Sequence, residues 1–195
     1  MNMYSFDYQR PDEAKAAVAA LHGNDDAKFL AGGQSLLPTM RLRLAQPSAL
    51  VDVTRIASMK SGVSPDGDTL TIGGAVCHAE VAANADVQKA IPGLADLAGR
   101  IGDRQVRERG TIGGSLANDD PAACYPSAVL ALNATVVTDR RRIGADDFYR
   151  YVHDRARPRR ADRRGRVSAR RAREIREVSQ FRVALCARRH VRREA

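Results

Sequence analysis

Arg109-Gly110-Thr111-Ile112-Gly113-Gly114-Ser115 and, earlier in the chain, Ala31-Gly32-Gly33-Gln34-Ser35-Leu36-Leu37-Pro38 decide how this sequence is read. Each stretch puts glycines where backbone must come close to a ligand or adopt positive φ. Each then gives a small hydroxyl residue, Ser35 or Ser115, followed by a segment that reads as helix. Backbone N–H groups at such turns and helix starts form anion sites suited to a phosphate or pyrophosphate. Neither turn has the G-x-G-x-x-G or P-loop spacing, so the Rossmann and Walker readings fail. Taken singly, each is read first as an ordinary tight turn, because glycine mainly punctuates structure.

Working outward, Lys28-Phe29-Leu30-Ala31 reads as a strand feeding the first turn, with a short helix at 37–44 after it and a strand at 50–53. Upstream, Tyr4 to Tyr8 reads as a strand with aromatics on alternate positions. Pro11 with Asp12 and Glu13 opens a helix over 14–21. Ser64-Pro65-Asp66-Gly67-Asp68 marks a turn between two short strands, the second at 69–72. Helices are expected at 78–83, 95–101 and 121–132, and a strand at 134–138 with Arg142-Ile143 available to pair with it. Short strands joined by tight turns and alternating with helices predict an α+β fold rather than a doubly wound parallel sheet.

The chain has 195 residues and a formal net charge of +9, which suggests a polyanion partner until the charge is located. Residues 1–139 carry 12 Lys+Arg against 16 Asp+Glu, net −4, whereas 140–195 carry 20 Arg and no Lys against 7 acidic residues, net +13. The tail holds a single leucine, Leu185; Ile175, Val178, Phe181 and Leu185 keep a rough helical spacing, so one amphipathic helix is expected there. No apolar run approaches the roughly 20 residues of a membrane span. The N-terminus has no basic start or apolar signal core, so a cytoplasmic location is expected. Three cysteines set far apart (Cys77, Cys124, Cys186) rule out a disulfide scaffold and a protein-built iron–sulfur cluster.

The two glycine turns, in order and with their neighbours, resemble the FAD-binding medium subunit of the molybdenum hydroxylases, the xanthine dehydrogenase family, in its aerobic carbon-monoxide dehydrogenase form. The likeness extends through Phe6-Asp7-Tyr8 with Pro11, Leu50-Val51-Asp52, Ile72-Gly73-Gly74-Ala75 and Gly102-Asp103-Arg104-Gln105-Val106-Arg107. It continues through Ala117-Asn118-Asp119-Asp120-Pro121 and Ala145-Asp146-Asp147-Phe148-Tyr149. It implies a PCMH-type FAD fold of two α+β subdomains, about 1–55 and 56–149, followed by a non-family Arg-rich tail at 150–195 that is disordered or partly helical. The resemblance also implies cofactor-binding roles. Ala31, Gly32, Gly33, Gln34 and Ser35 wrap the FAD pyrophosphate through main-chain donors, and Thr111, Ile112, Gly113, Gly114 and Ser115 hold the other side, with the Thr111 and Ser115 hydroxyls available. No catalytic or metal-binding residue is assigned to this chain.

One departure stands out. Many relatives carry Asp where this chain has Cys124, and a thiol is a weak acceptor for flavin hydroxyls. Cys124, like Cys77 and Cys186, is otherwise expected to be a small buried hydrophobe. His22, His78, His153 and His190 form no ligand spacing and read as surface or helix-end residues. Asp119-Asp120 read as caps or cofactor-side polar groups. Arg104, Arg107 and Arg109 read as a solvated or subunit-contacting face.

In such complexes electrons leave a molybdopterin large subunit, cross [2Fe–2S] clusters on a small subunit and reach FAD on the medium subunit, which hands them to an external acceptor. The resemblance thus implies an oxidoreductase subunit, FAD as its cofactor, and a dimerised heterotrimer with those two partners. Beyond Tyr149 the family continues with more of the second subdomain and a C-terminal domain. Here the Arg-rich texture starts instead, and residues from about 150 onward are expected to be translated out of frame from a GC-rich gene. The alternatives are a stand-alone FAD-linked oxidoreductase, and a basic protein whose tail binds nucleic acid and folds on doing so.

Overall fold

The computed structural model describes residues 3–22, 24, 26–120, 122–138 and 140–149, and the backbone of 182–186. The chain opens with β1 (Asp7–Gln9), α1 (Ala14–His22), β2 (Lys28–Leu30), α2 (Leu36–Arg41) and β3 (Ala49–Asp52). These strands form a parallel sheet of order β1-β3-β2. β3 is buried along its whole length, apolar through Ala49-Leu50-Val51 as suits a central parallel strand and ending in the buried Asp52. α1 turns Ala14, Ala17 and Leu21 inward, one helical face laid on that sheet.

A second sheet begins with β4 (Val63–Asp66) and β5 (Thr69–Gly73), a hairpin whose tight loop has Gly67 at φ 55°. Leu70 and Ile72 of β5 point to the core. Six helices follow: α3 (His78–Ala83), α4 (Ala85–Ala90), α5 (Pro92–Gly99), α6 (Arg104–Arg109), α7 (Ile112–Asn118) and α8 (Cys124–Ala131). β6 (Thr135–Val137), β7 (Arg142–Gly144) and β8 (Arg182–Cys186) complete an antiparallel sheet of order β4-β5-β8-β6-β7. One apolar core runs through both sheets, from Ala17 and Val51 to Ile72, Ile112, Tyr125 and Val136.

The fold is therefore mixed, parallel in the first sheet and antiparallel in the second. Three expectations need correction. The first strand starts at Asp7, not Tyr4, because Tyr4 and Tyr8 are exposed and their alternation marks no buried face. α4 and α6 were not foreseen, although Asn84 and Asp103 cap them through side-chain oxygens. Leu185 belongs to a strand, not a helix, since 182–186 pair between β5 and β6; Ile175, Val178 and Phe181 lie outside the described residues.

Candidate functional site

The strand β2 ends at Leu30, and the chain turns through Ala31-Gly32-Gly33-Gln34-Ser35 directly against the second glycine turn. A Cβ on Gly32 would stand 2.1 Å from the Arg109 carbonyl oxygen and 2.7 Å from Gly110 Cα. Gly33 has φ +73°, a conformation only glycine adopts freely. The second turn is held from the other side by the segment leaving β5. There the His78 amide donates to Gly110 O (2.9 Å), Ile112 N to Val76 O (3.1 Å) and Gly113 N to Gly74 O (2.9 Å). Gly113 lies so close to Gly74 that a Cβ would meet its carbonyl oxygen at 2.5 Å.

Between the turns lies a cavity of about 530 Å³, within the range of organic cofactor sites. Ala31, Gly32, Gly33, Gln34, Ser35, Thr111, Gly113, Gly114 and Ser115 all line it. Ile112 does not: its side chain is fully buried in the core and its amide is bonded to Val76. Apolar wall comes from Phe29, Val53, Met59, Ile101 and Val106, which the sequence reading did not single out.

The two turns differ in what they offer. In the first, the amides of Gly33, Gln34 and Ser35 have no acceptor among the described residues. Ser35 precedes α2 without a side-chain capping bond, so its hydroxyl is also uncommitted there. In the second, Gly114 N donates to the Thr111 hydroxyl (3.1 Å) and Ser115 N to Thr111 O (3.0 Å). Thr111 is thus the N-cap of α7, and the second turn is chiefly a lock. Main-chain donors left without a protein partner beside a cavity are available to an acceptor, and an anion is the strongest one.

The remaining candidates fall into place individually. His78 is not a surface residue. It is 5% exposed, lines the cavity, and its ring lies 5.3 Å from that of Tyr125. Burial pushes its pKa down to about 4, so the ring is neutral at pH 7. Its Nδ1 and the Tyr125 hydroxyl are buried without a partner among the described residues. Asp120 lines the cavity and accepts from Ala122 N (2.8 Å), while Asp119 closes α7 in the left-handed conformation. Cys124 is exposed at the start of α8, against the expectation of burial; Cys77 is half-buried, and burial pushes its thiol up. Arg107 donates to Gly102 O (2.8 Å) and Ile101 O (3.3 Å), tying down the loop before α6, and Arg104 reaches Glu108 at 4.0 Å. Among the described residues there is no cluster of side chains able to hold a metal ion, and no helix long and apolar enough to cross a membrane.

Fold and cavity together define a mixed α/β cofactor-binding domain. The family described as the FAD binding domain in molybdopterin dehydrogenase matches residues 4–161, and the chain belongs to that family. It is 41% identical over 149 residues to the carbon monoxide dehydrogenase medium chain of Hydrogenophaga pseudoflava, covering 74% of this chain and 52% of that protein. It is 39% identical over 153 residues to the nicotine 6-hydroxylase medium subunit of Paenarthrobacter nicotinovorans, covering 76% and 54%. Among solved structures, carbon monoxide dehydrogenase from H. pseudoflava superimposes with a TM-score of 0.77 at 32% identity, over 96% of this chain and 61% of that one. The chain spans about half the length of the curated relatives it matches.

Proposed function

We propose that the cavity between the glycine turns seats FAD, and that the chain serves as the flavin-carrying medium subunit of a molybdenum hydroxylase. The observation that carries this reading is the set of uncommitted amides at Gly33, Gln34 and Ser35, opening on a cavity across which Gly32 touches Arg109 and Gly110. That donor set suits a pyrophosphate, and the bare Gly32 lets the two turns meet beside the cavity, so the residues fit the group.

The chain's part is to hold and enclose. The first-turn amides donate to phosphate oxygens, and the Ser35 and Ser115 hydroxyls are placed to add to them. Val53, Met59, Ile101 and Val106 keep water off the ligand's flat face, and Asp120 offers a carboxylate to its hydroxyls. When bound, the flavin supplies a redox centre able to join one-electron and two-electron partners. The partners are an iron–sulfur small subunit and a molybdopterin large subunit, the external acceptor receives the electrons, and the complex is cytoplasmic. The medium-chain names of the relatives support this placement.

The test is titration of the purified chain with FAD, following flavin fluorescence, then gel filtration. The expected result is a yellow protein with one flavin per chain. Flavin eluting wholly in the small-molecule volume overturns the reading.

Residues from about 150 onward are, in the same proposal, read out of frame. The abrupt change to 17 Arg and no Lys over residues 150–195 supports it. Resequencing the gene tests it. A neighbouring frame that encodes no family-like continuation overturns it.

A further inference from the structure

His78 is a residue to which neither glycine turn drew attention, and three observations converge on it. It is 5% exposed and its Nδ1 has no partner among the described residues. It lines the cavity. The ring edge carrying Nε2 faces Gly110, where a Cβ would stand 2.6 Å from Nε2. Gly110 has φ −61° and ψ 140°, extended backbone that any residue adopts, so its conformation does not require glycine. What requires glycine is space. The bare Cα of Gly110 is packed between the His78 ring edge on one side and Gly32 of the first turn on the other.

The tautomer follows from the surroundings. A buried N–H without an acceptor is costlier and rarer than a buried lone pair without a donor. Nδ1 has no acceptor among the described residues, so the neutral ring carries its proton on Nε2. Nε2–H is then a neutral donor on the cavity wall, beside the turn whose own amides are uncommitted.

We propose that His78 is a cofactor-binding residue, donating from Nε2–H to a phosphate oxygen of the dinucleotide held by the first glycine turn. This rests on the reading that the cavity seats FAD. Gly110, bare of a side chain, lets the imidazole edge pack close beside the cavity, and Tyr125 lies against the ring with centroids 5.3 Å apart.

The experiment compares the full chain with His78→Phe, which keeps a ring against Tyr125 but loses the donor, and His78→Gln, whose amide N–H replaces Nε2–H. Dissociation constants are measured by flavin fluorescence for FAD and riboflavin, and by competition for ADP, which carries the pyrophosphate without the flavin. Thermal melting reports folding. The expected result is FAD and ADP binding at least tenfold weaker in His78→Phe, within about threefold of the unaltered chain in His78→Gln, and riboflavin binding alike in all three. FAD binding unchanged in His78→Phe overturns the proposal, as does equal loss in both variants at unchanged melting temperature. Should His78→Phe not fold, ¹⁵N NMR of the unaltered chain decides. The imidazole signal that disappears in His78→Gln is expected in the Nε2–H form and must shift on saturation with FAD; if it stays put, the proposal fails. Failure of the unaltered chain to bind FAD at all overturns the seating of FAD itself, and this proposal with it.

Discussion

At the scale of single residues, glycines matter here for two separable reasons. Gly32 is barred from a side chain by space, since a Cβ would meet the Arg109 carbonyl oxygen at 2.1 Å. Gly67 has nothing within 4 Å and is held only by its φ of 55°. Gly32→Ala is therefore expected to cost about 1–3 kcal/mol and to abolish FAD binding, because backbone must move. Gly67→Ala is expected to cost about 1–2 kcal/mol and leave FAD binding intact. Urea melts with flavin titrations separate the two. His78 gives a pH prediction for the ligand-free chain. Its folded pKa, lowered to about 4 by burial, lies below the unfolded 6.5, so the unfolded state binds the proton first as pH falls. Its contribution is complete above pH 6.5 and is lost as pH falls towards 4, in all about 3 kcal/mol. Stability measured from pH 7 to 4 should fall less steeply in His78→Phe. Asp52 behaves differently. Burial pushes it up, but hydrogen bonds from Thr54 and the Tyr8 hydroxyl outweigh that and hold it below the usual range, so its contribution fades only in stronger acid.

At the scale of elements, Asn84 does two jobs. It ends α3 with its amide donating to Glu80 O, and it begins α4 with its side chain accepting from Asp86 and Val87 amides (2.9 and 3.1 Å). Asn84→Ala should cost about 1 kcal/mol, read as a lower melting temperature with FAD affinity unchanged. This capping residue also explains a miss. Asn84 and Asp103 were legible start signals, yet α4 buries only Val87 and α6 buries none of its residues, so neither shows an apolar period. Elements with a strong local cause were legible: β3 from its apolar Leu50-Val51, the β4–β5 hairpin from Gly67-Asp68, and α1 from its Pro11-led opening. β8 was not, because a strand is defined by partners far away in sequence, and Leu185 fitted a helical spacing equally well.

At the scale of the whole molecule, the second sheet depends on a strand from the Arg-rich region. β8 pairs with both β5 and β6, which are not paired to each other. A chain ending at 149 leaves two sheet edges open and is expected to unfold at lower urea and to associate on gel filtration. Identical behaviour of the shortened and full chains would show that β8 contributes nothing. The site's legibility was similarly divided. Both glycine turns were read from spacing, but their contact was not, nor was the unequal sharing of donors between them. His78 and Val106 reach the cavity only because the chain folds back, and no local pattern announces that. The contacts at Gly32 and Gly113 also bear on heredity. Every single-base change that alters a glycine codon either adds a side chain or stops translation. Backbone bars any Cβ at both positions, so their codons can drift only at the silent third base. In a saturation library selected for flavin retention, these two positions should tolerate synonymous change alone, while the exposed Gly93 accepts substitutions.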